Sequence, residues 1–264
     1  MTAIRIAVHG AAGRMGQRLV ALAAADKDLC VAAALEFAGH PRLGDDAGLL
    51  AGAGALGVPL KAALEAPVDV VIDFSTPAGT MSISEECVAR RLPLVLATTG
   101  LDAGQQERIR EASRQVPILW APSMSLAVNL AMKLASVAAA SLADHPTGAD
   151  VEIIERHHRF KEDSPSGTAL KFGEIIAAQM GQTERRHGRE GRCGARPHGE
   201  IGYHAVRAGD HPGEHTIMFG LLGETLEIAV RAVNRDCYAH GALAAAKFLA
   251  GKPAGLYGMN DVLG

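Results

Sequence analysis

The most constraining feature of the sequence is its N-terminal segment, where a short apolar strand runs into a glycine-rich turn. "IRIAVHG" (4–10) is rich in β-branched residues, and Gly10, Gly13 and Gly16 form GxxGxxG at the start of a segment of helical composition at 14–25. Glycines there let the backbone approach a pyrophosphate at the N-terminus of the next helix. Because the spacing departs from GxGxxG, the turn alone is equally consistent with an ordinary strand–helix connection.

Glu36 strengthens the nucleotide interpretation. It ends the second strand candidate, "DLCVAAALE", 20 residues after Gly16. An acid at this distance accepts hydrogen bonds from the adenosine ribose hydroxyls. The alternative is a solvated acid at a strand end. "ATTG" (97–100) and "APSM" (121–124) follow later strands, at the carboxyl ends where ligands of open α/β sheets bind.

The first half of the chain alternates strand and helix signals. "VDVVIDFS" (68–75), "PLVLATTG" (93–100) and "PILWAP" (117–122) are apolar runs without alternation, with helical segments at 78–90 and 102–115. Unalternating strands are typical of parallel sheets covered on both faces. The pattern predicts an α/β fold with a doubly wound parallel sheet of the Rossmann type.

The second half changes character and predicts a second domain. A strand candidate, "ADVEIIERHH" (149–158), precedes a helix candidate at 168–180 and a basic, loop-like segment at 181–199. Three more strand candidates follow, and a final helix, "AHGALAAAKFLAG", precedes the tail. We expect an open, largely antiparallel sheet with one or two helices. The strand candidates are "EIGYHAVRAGD", "EHTIMFG" and "ETLEIAVRAV".

Composition and charge exclude several classes of protein. A formal net charge of -3 gives no electrostatic case for nucleic acid or an anionic membrane. The nearest approach to an apolar span of about 18 residues, at 125–143, carries Lys133 at its centre, which favours a buried helix of a soluble protein. The N-terminus lacks the pattern of a signal peptide. The four cysteines form no CxxC, which favours reduced thiols in a cytoplasmic protein.

"HHRFKEDSPSGTA" (157–169) concentrates cations beside a helix start. Two histidines and a lysine follow the strand "VEIIE", and a serine N-cap with two more residues would expose unpaired backbone amides. Such a helix start with cations nearby suits a ligand that carries carboxylates, and a histidine or lysine there can transfer a proton. The cations are His157, His158 and Lys161, and the helix start is Ser166, Gly167 and Thr168.

Simpler interpretations of the same block stay open. The paired histidines are also consistent with a solvated strand end, and the lysine with a surface charge. The segment has no HxxxH pair, and its acids Glu155, Glu162 and Asp163 have no recognised ligand spacing, so we predict no metal site.

Several motifs together resemble one known family. "GAAGRMG", "DFSTP", "ATTG", "ERHHRFKEDSPSGTA" and "GEIGYHAVRAGDHPGEHT" occur in the order found in the 4-hydroxy-tetrahydrodipicolinate (dihydrodipicolinate) reductases of bacterial lysine biosynthesis. The resemblance covers essentially the whole chain, and the HHxxK…SGT block is its most specific part.

The resemblance implies a two-domain homotetrameric enzyme that reduces a cyclic dicarboxylate to tetrahydrodipicolinate with NADH or NADPH. Its dinucleotide-binding domain would comprise 1–124 and 235–264, and its domain for substrate binding and oligomerisation 125–234, with a mixed, mostly antiparallel sheet. Carried over by position, His157 and Lys161 are the catalytic pair. The implied substrate-binding residues are His158, Lys161, Ser166, Gly167, Thr168 and Arg235. The implied cofactor-binding residues are Gly10, Ala11, Ala12, Gly13, Arg14, Met15, Glu36, Ala97, Thr98, Thr99, Ala121, Pro122, Ser123 and Met124.

In the family mechanism, hydride reaches C4 of the ring and an adjacent ring carbon then takes a proton. His157 is the preferred acid, and Lys161 is the alternative donor as well as a carboxylate partner. Two other classes stay open: a related amino-acid-pathway dehydrogenase, which would not need the HHxxK…SGT block, and an NAD-binding redox regulator, which would favour a basic DNA-binding module.

The sequence departs from the family pattern beside Glu36. Many relatives carry an arginine at the next position, where it can pair with the 2′-phosphate of NADPH, whereas this chain has Phe37. A benzyl ring cannot pair with a phosphate, and the carboxylate of Glu36 repels one. We therefore expect NADH to be used at least as well as NADPH. Ser123, Met124 and Ala127 also replace the family's common Asn, Phe and Gly.

Overall fold

The computed structural model describes residues 2–264, so residue 1 of the predicted first domain lies outside the described part. The chain divides into two compact units. The first comprises the residues up to Leu126 together with Arg235–Gly264, and the second comprises Ala127–Asn234.

The first unit is built on a seven-stranded sheet in which every strand pair is parallel. The predicted Rossmann-type sheet is therefore confirmed. Its elements are β1 (Ile4–His9), α1 (Arg14–Ala24), β2 (Leu29–Leu35), α2 (Ala47–Leu50), β3 (Leu60–Lys61), β4 (Val70–Asp73), α3 (Pro77–Arg90), β5 (Leu94–Leu96), α4 (Ala103–Ser113), β6 (Pro117–Trp120), α7 (Asp236–Leu249), β12 (Gly255–Tyr257) and α8 (Met259–Leu263).

The strand order in this sheet is β12-β6-β5-β4-β1-β2-β3. The chain leaves β1 toward one edge and returns on its other side at β4, so the order reverses between β1 and β4. The crevice outside the carboxyl ends of two such strands is where open α/β sheets bind ligands. The C-terminal segment belongs to this unit, because α7 packs its alanine-rich face into the core around Ile6 and Ile72.

The second unit has a mixed five-stranded sheet of order β11-β10-β7-β9-β8. The pairs β7–β10 and β10–β11 are antiparallel, and β7–β9 and β8–β9 are parallel. The mixed sheet that was predicted is therefore confirmed. The elements are α5 (Leu126–Leu142), β7 (Asp150–His157), α6 (Gly167–Met180), β8 (Glu184–His187), β9 (Glu200–Arg207), β10 (Glu214–Leu221) and β11 (Glu224–Arg231).

The two faces of β7 have different roles, because side chains alternate along a strand. Val151 and Ile153 belong to the apolar core that includes Phe172 of α6. The intervening Glu152 points to the opposite face, where His204 lies 2.7 Å from its carboxylate. Glu155 and His157 follow Val151 and Ile153 on the same face of β7, and they lie at the start of α6.

Two expectations about the elements need correction. The segment 181–199 is not wholly a loop, since it contains β8, which pairs with β9 at the edge of the sheet. All four side chains of β8 are exposed, so the sequence of this strand carries no apolar pattern. The helix predicted near 125–143 is α5, but only one face of it is buried, and Leu130, Leu134 and Val137 are exposed. None of the helices in residues 2–264 combines the length and hydropathy needed to cross a bilayer.

Candidate functional site

The glycine-rich turn of the first unit requires glycine for a steric reason. Gly10 has a φ of +78°, and a Cβ at Gly16 would lie 2.1 Å from the Gly10 carbonyl oxygen and 2.6 Å from the Cα of Ala11. No side chain fits at such a distance from fixed backbone. The first turn of α1 therefore lies directly against the Gly10–Ala11 backbone, as the close-packed helix start of a dinucleotide site requires.

Glu36 and the turn form one unit. The backbone N–H of Ala12 donates to Oε1 of Glu36 over 2.9 Å, which fixes the carboxylate beside the turn. Its second oxygen makes no further hydrogen bond among those formed within the described chain. The glycine-rich turn and the acid, which the sequence predicts to act together, are therefore in direct contact.

Six of the fourteen predicted cofactor residues line one cavity of about 250 Å³. Phe74 and Tyr238, which the sequence did not single out, also line it. Arg235, predicted to bind substrate, lies here in the first unit and not among the residues of "HHRFKEDSPSGTA". The predicted cofactor residues on the wall are Arg14, Met15, Ala97, Pro122, Ser123 and Met124.

Asp73 is a functional candidate that sequence reasoning missed. Its carboxylate is fully buried at the end of β4 and accepts hydrogen bonds from His9 Nδ1 (2.8 Å), Thr80 Oγ1 (2.5 Å) and Thr98 Oγ1 (2.9 Å). Burial alone would raise the pKa of Asp73, but the hydrogen bonds outweigh it and hold that pKa below its usual value. This ionised group connects the end of β1 to the predicted cofactor residue Thr98.

In the second unit, the strand β7 delivers His157 to its carboxyl end. The imidazole is buried, and its Nδ1 lies 2.6 Å from Oε2 of the buried Glu155. Arg207 of β9 donates to both oxygens of the same carboxylate over 2.7 Å. His157, the predicted proton donor, is therefore held by the ion pair between Glu155 of β7 and Arg207 of β9.

The other cations of the block lie in the loop after β7. Lys161 Nζ donates to both carboxylate oxygens of Asp163 at 2.6 and 2.8 Å. Nδ1 of His158 is buried without a hydrogen-bond partner among the described residues. A ligand oxygen is one group that would satisfy it, since a buried polar atom without a partner is costly.

The predicted helix start is present at α6. Ser166 is its N-cap and accepts a hydrogen bond from the Ala169 N–H over 3.1 Å. A Cβ at Gly167 would meet no atom within 4 Å, and Thr168 follows it in the first helical turn. The start of α6 thus leaves open space beside backbone amides, which suits an anion.

His215 of β10 is a second residue that sequence reasoning missed. Its Nε2 is hydrogen-bonded to Ser166 Oγ over 2.9 Å, and its ring meets that of His157 edge-on at 5.3 Å. Burial, together with the nearby charge of His157, lowers the pKa of His215 to about 4. Because it lies on another strand, only the three-dimensional fold brings it to this site.

We expect His215 to make the protein less stable in acid. The pKa of this imidazole is about 6.5 in the unfolded chain and about 4 in the native chain. The stability that the neutral form contributes is therefore present above about pH 6.5 and is lost toward pH 4, by about 3 kcal/mol. Urea midpoints between pH 7 and 4 should converge for wild type and His215→Gln; parallel curves would contradict the assignment.

No group of three or more His, Cys, Asp or Glu side chains in residues 2–264 is placed to hold a metal ion. The residues that meet at the start of α6 are a buried His157 beside the carboxylate of Glu155 and an amide-lined helix start, with a lysine in the adjoining loop. Groups of these types are suited to an anion and to proton transfer.

The comparisons with known proteins cover both units. Residues 4–124 match the family described as dihydrodipicolinate reductase, N-terminus, and residues 127–263 match dihydrodipicolinate reductase, C-terminus. The 4-hydroxy-tetrahydrodipicolinate reductase of Rhodopirellula baltica is 54% identical over 269 residues, which cover 99% of this chain and 96% of that protein. The protein of that name from Syntrophotalea carbinolica is 46% identical, with 99% of each chain covered.

A solved structure agrees with the sequence relatives. The dipicolinate-bound dihydrodipicolinate reductase from Paenisporosarcina sp. TG-14 is similar with a TM-score of 0.79 and 26% identity, over 98% of this chain and 99% of that one. The glycine turn with its acid, the two sheets and the histidine–lysine–SGT block all lie within these matched regions. The chain belongs to the dihydrodipicolinate reductase family.

Proposed function

We propose that this chain reduces 4-hydroxy-tetrahydrodipicolinate to tetrahydrodipicolinate in the diaminopimelate pathway to lysine, with a nicotinamide dinucleotide as reductant and with loss of the substrate's 4-hydroxyl group as water. As a member of its family the chain is an oxidoreductase, and its Rossmann-type unit is a pyridine-nucleotide-binding fold. The observation that supports the substrate most strongly is the anion-binding start of α6 beside the buried His157.

The residues of the second unit divide the work on a dicarboxylate. We assign one substrate carboxylate to the amides at the start of α6, with Ser166, Gly167 and Thr168. Lys161 pairs with a substrate carboxylate and gives up its ion pair with Asp163 to do so. His158 donates or accepts a hydrogen bond through its buried Nδ1, which has no partner in the described chain. His157 supplies the proton, and Lys161 is the alternative donor.

The first unit fits a dinucleotide on structural grounds. The turn that Gly16 permits and the carboxylate that Ala12 orients form a cradle for a pyrophosphate and a ribose. When bound, the reduced nicotinamide supplies a hydride. We assign the cofactor to the residues predicted for it at the turn and the strand ends. Arg235, on the cavity wall in the same unit, retains its predicted role toward the substrate as part of this proposal.

We further propose that the first unit is the dinucleotide-binding domain and that the second serves substrate binding and assembly of a cytoplasmic homotetramer. The exposed apolar residues of α5 and the second unit's own sheet support an assembly role for that unit. The mass of the particle in solution, measured by light scattering after gel filtration, tests the tetramer directly. A monomer at micromolar concentration would contradict it.

We propose that the chain uses NADH at least as well as NADPH. Phe37 is 63% exposed next to Glu36, and the nearby Arg42 is engaged in an ion pair with Asp45. The residues around Glu36 thus offer a carboxylate and an aromatic ring to the 2′ position, and that carboxylate repels a phosphate.

Substitution of Phe37 by arginine should shift this choice. A guanidinium at position 37 can pair with the 2′-phosphate, and a charge-assisted hydrogen bond contributes about 1.5–3 kcal/mol. We expect kcat/KM for NADPH relative to NADH to rise about tenfold or more in Phe37→Arg, with Phe37→Leu as the uncharged control. A wild-type KM far lower for NADPH than for NADH would contradict the proposed preference.

The proposed function is tested by a coupled assay. Dihydrodipicolinate synthase generates the unstable substrate, and loss of the reduced nicotinamide is followed by its absorbance. We expect oxidation of the cofactor only when the synthase and both of its own substrates are present. A redox-sensing regulator would bind the cofactor without turning it over, and oxidation independent of the synthase would indicate another dehydrogenase.

A further inference from the structure

We infer that Glu155 is a positioning residue for the reaction: it fixes the tautomer of His157 and connects that imidazole to the start of α6, with Arg207 as its counter-ion. The inference rests on the proposed function, since it concerns the proton that His157 gives. It extends that function to residues on β7 and β9 that do not touch the substrate.

The carboxylate of Glu155 is saturated with donors. Oε2 accepts from His157 Nδ1 at 2.6 Å and from Arg207 Nη1 at 2.7 Å. Oε1 accepts from the Ser166 N–H at 3.0 Å and from Arg207 Nη2 at 2.7 Å. Each carboxylate oxygen thus binds one nitrogen of the Arg207 guanidinium and one further group, which is the His157 ring for Oε2 and the Ser166 N–H for Oε1. The His157 ring and the N-cap of α6 are therefore held by the same carboxylate.

Only an ionised carboxylate satisfies this arrangement. Burial would raise the pKa of Glu155, but the hydrogen bonds from Arg207 and His157 keep that pKa below its usual value. An ionised carboxylate only accepts hydrogen bonds, so Nδ1 of His157 must carry hydrogen. The proton that is exchanged with a ligand is then the one on Nε2.

The space beside Nε2 is kept open by a glycine. A Cβ at Gly213 would lie 2.9 Å from Nε2 of His157, closer than a methyl group can approach without a shift. Because position 213 is glycine, no side chain presses on Nε2 from the turn before β10, while the opposite nitrogen is hydrogen-bonded to Glu155. Both observations indicate the same reactive atom.

The charges that face His157 set its proton affinity. Burial is the largest single influence on the pKa of His157 and lowers it, whereas the hydrogen bond and charge of Glu155 raise it. The positive charges of Lys161 and Arg207 act with burial, and the pKa lies below its usual value. His215 meets the His157 ring edge-on, and burial lowers the pKa of His215 to about 4. A dianionic substrate beside the ring favours the imidazolium; when its Nε2–H bond breaks and a C–H bond forms on the substrate ring, the imidazole returns to neutral.

Glutamine at position 155 tests the inference because it has the shape of glutamate but carries no charge and has an NH₂ donor in place of one acceptor oxygen. Its amide offers one acceptor and one donor to a site whose protein groups all present N–H. If the oxygen faces Ser166, the amino group faces His157 Nδ1 and forces the proton onto Nε2; if the amide flips, the Ser166 link is lost. Either way, one of the two connections breaks.

Glu152→Gln is the matched control. Glu152 lies on the same strand and is also buried, and it too is held by a histidine and arginines, namely His204, Arg189 and Arg196. Its side chain lies on the opposite face of the sheet from His157. A general effect of neutralising a buried glutamate on β7 would appear in both variants.

The primary readout is the tautomer of His157, observed by ¹⁵N NMR of the imidazole in the free protein. We expect Nδ1–H in wild type and in Glu152→Gln, and Nε2–H or a mixture in Glu155→Gln. This readout needs no substrate, so it stays informative even if the coupled assay fails. An unchanged tautomer in Glu155→Gln would overturn the inference whatever the enzyme does.

The second readout is the pH profile of turnover in the coupled assay. Because Glu155 raises the pKa of His157, its loss should move the high-pH limb of kcat to lower pH and reduce kcat by about 10- to 100-fold, part of the 10²–10⁴ that a positioned acid contributes. KM should change less than kcat, and Glu155→Asp should recover part of the loss.

Failures of the two proposals are distinguishable. A wild type that turns over substrate, together with a Glu155→Gln variant of unchanged pH limb, would contradict the positioning role alone. A wild type without turnover but with the expected change of tautomer would contradict the proposed function alone.

Gly213→Ala supplies an independent check on the open side of the ring. We expect its kcat to fall about tenfold or more, because a methyl group covers Nε2. Gly223→Ala is its control, since Gly223 also has a positive φ but would meet nothing within 4 Å. Equal loss in both variants would indicate backbone strain and contradict the assignment of Nε2.

Discussion

Replacement of His157 by alanine is expected to lower kcat of the coupled reaction by about 10²–10⁴-fold, the contribution of a positioned general acid. KM should change little, since the substrate carboxylates are assigned to other groups. Lys161→Ala should instead impair both kcat and KM, because Lys161 is assigned to substrate charge and is the alternative proton donor. Initial rates across a substrate range separate the two patterns.

The control for the histidine variant is His204→Ala. His204 lies on β9, next to β7, but its hydrogen bond goes to Glu152 on the opposite face of the sheet. We expect kcat within about twofold of wild type there, since the group is remote from the reacting atoms. Normal turnover in both His157→Ala and Lys161→Ala would refute the assignment of the acid.

Substitution of Gly16 by alanine is expected to have the largest effect in the first unit. The added Cβ would lie 2.1 Å from the carbonyl oxygen of Gly10 and 2.6 Å from the Cα of Ala11. Both atoms are backbone, so the helix start must move away from the turn. We expect a loss of about 3 kcal/mol of stability, the upper end for overpacking, and NADH binding weakened at least about tenfold. Thermal unfolding and titration of nucleotide fluorescence measure the two effects.

Gly104→Ala is the matched control for that variant. Gly104 also lies in the first turn of a helix, α4, but it is exposed, and its added Cβ would approach only the flexible Asp102 carboxylate at 3.3 Å. Alanine there should be neutral or slightly stabilising through helix propensity. The same Tm and NADH affinity in both variants would contradict the steric argument.

The architecture was largely predictable because its elements carry local signals. Unalternating apolar runs and the glycine turn identified the parallel sheet of the first unit, and the helix starts at 77 and 103 lie within one residue of their predicted positions. Elements without such signals were missed. The edge strand β8 is entirely exposed, and β3 has only two residues, so neither buries an apolar pattern of its own.

The candidate site was predictable where its residues are contiguous. His157, Lys161 and Ser166 lie within one block, so chain order alone brings them together. Arg207 and His215 come from two other strands, and their pairing with that block depends on the register β10-β7-β9. The sequence shows Glu155 as an acid near the histidines. Without the positions of Arg207 and Ser166 in the fold, however, it could not be distinguished from a surface carboxylate.

The same limit applies to Asp73. The sequence places it within an apolar strand ending "DFSTP", with no indication of what surrounds it. Only the parallel register of β1, β4 and β5 brings His9 and Thr98 to its carboxylate. Long-range hydrogen bonding of a buried charge is a property of the packed sheet and leaves no periodic trace in the chain.

The most direct test of the proposed reaction follows the hydride itself. The coupled assay is run with NADH that carries deuterium at the transferable C4 position, and the product is examined by NMR. We expect tetrahydrodipicolinate with deuterium at C4 of its ring, formed in proportion to the NADH consumed. Oxidation of NADH without deuterium in that product, or no oxidation in the presence of substrate, would contradict it.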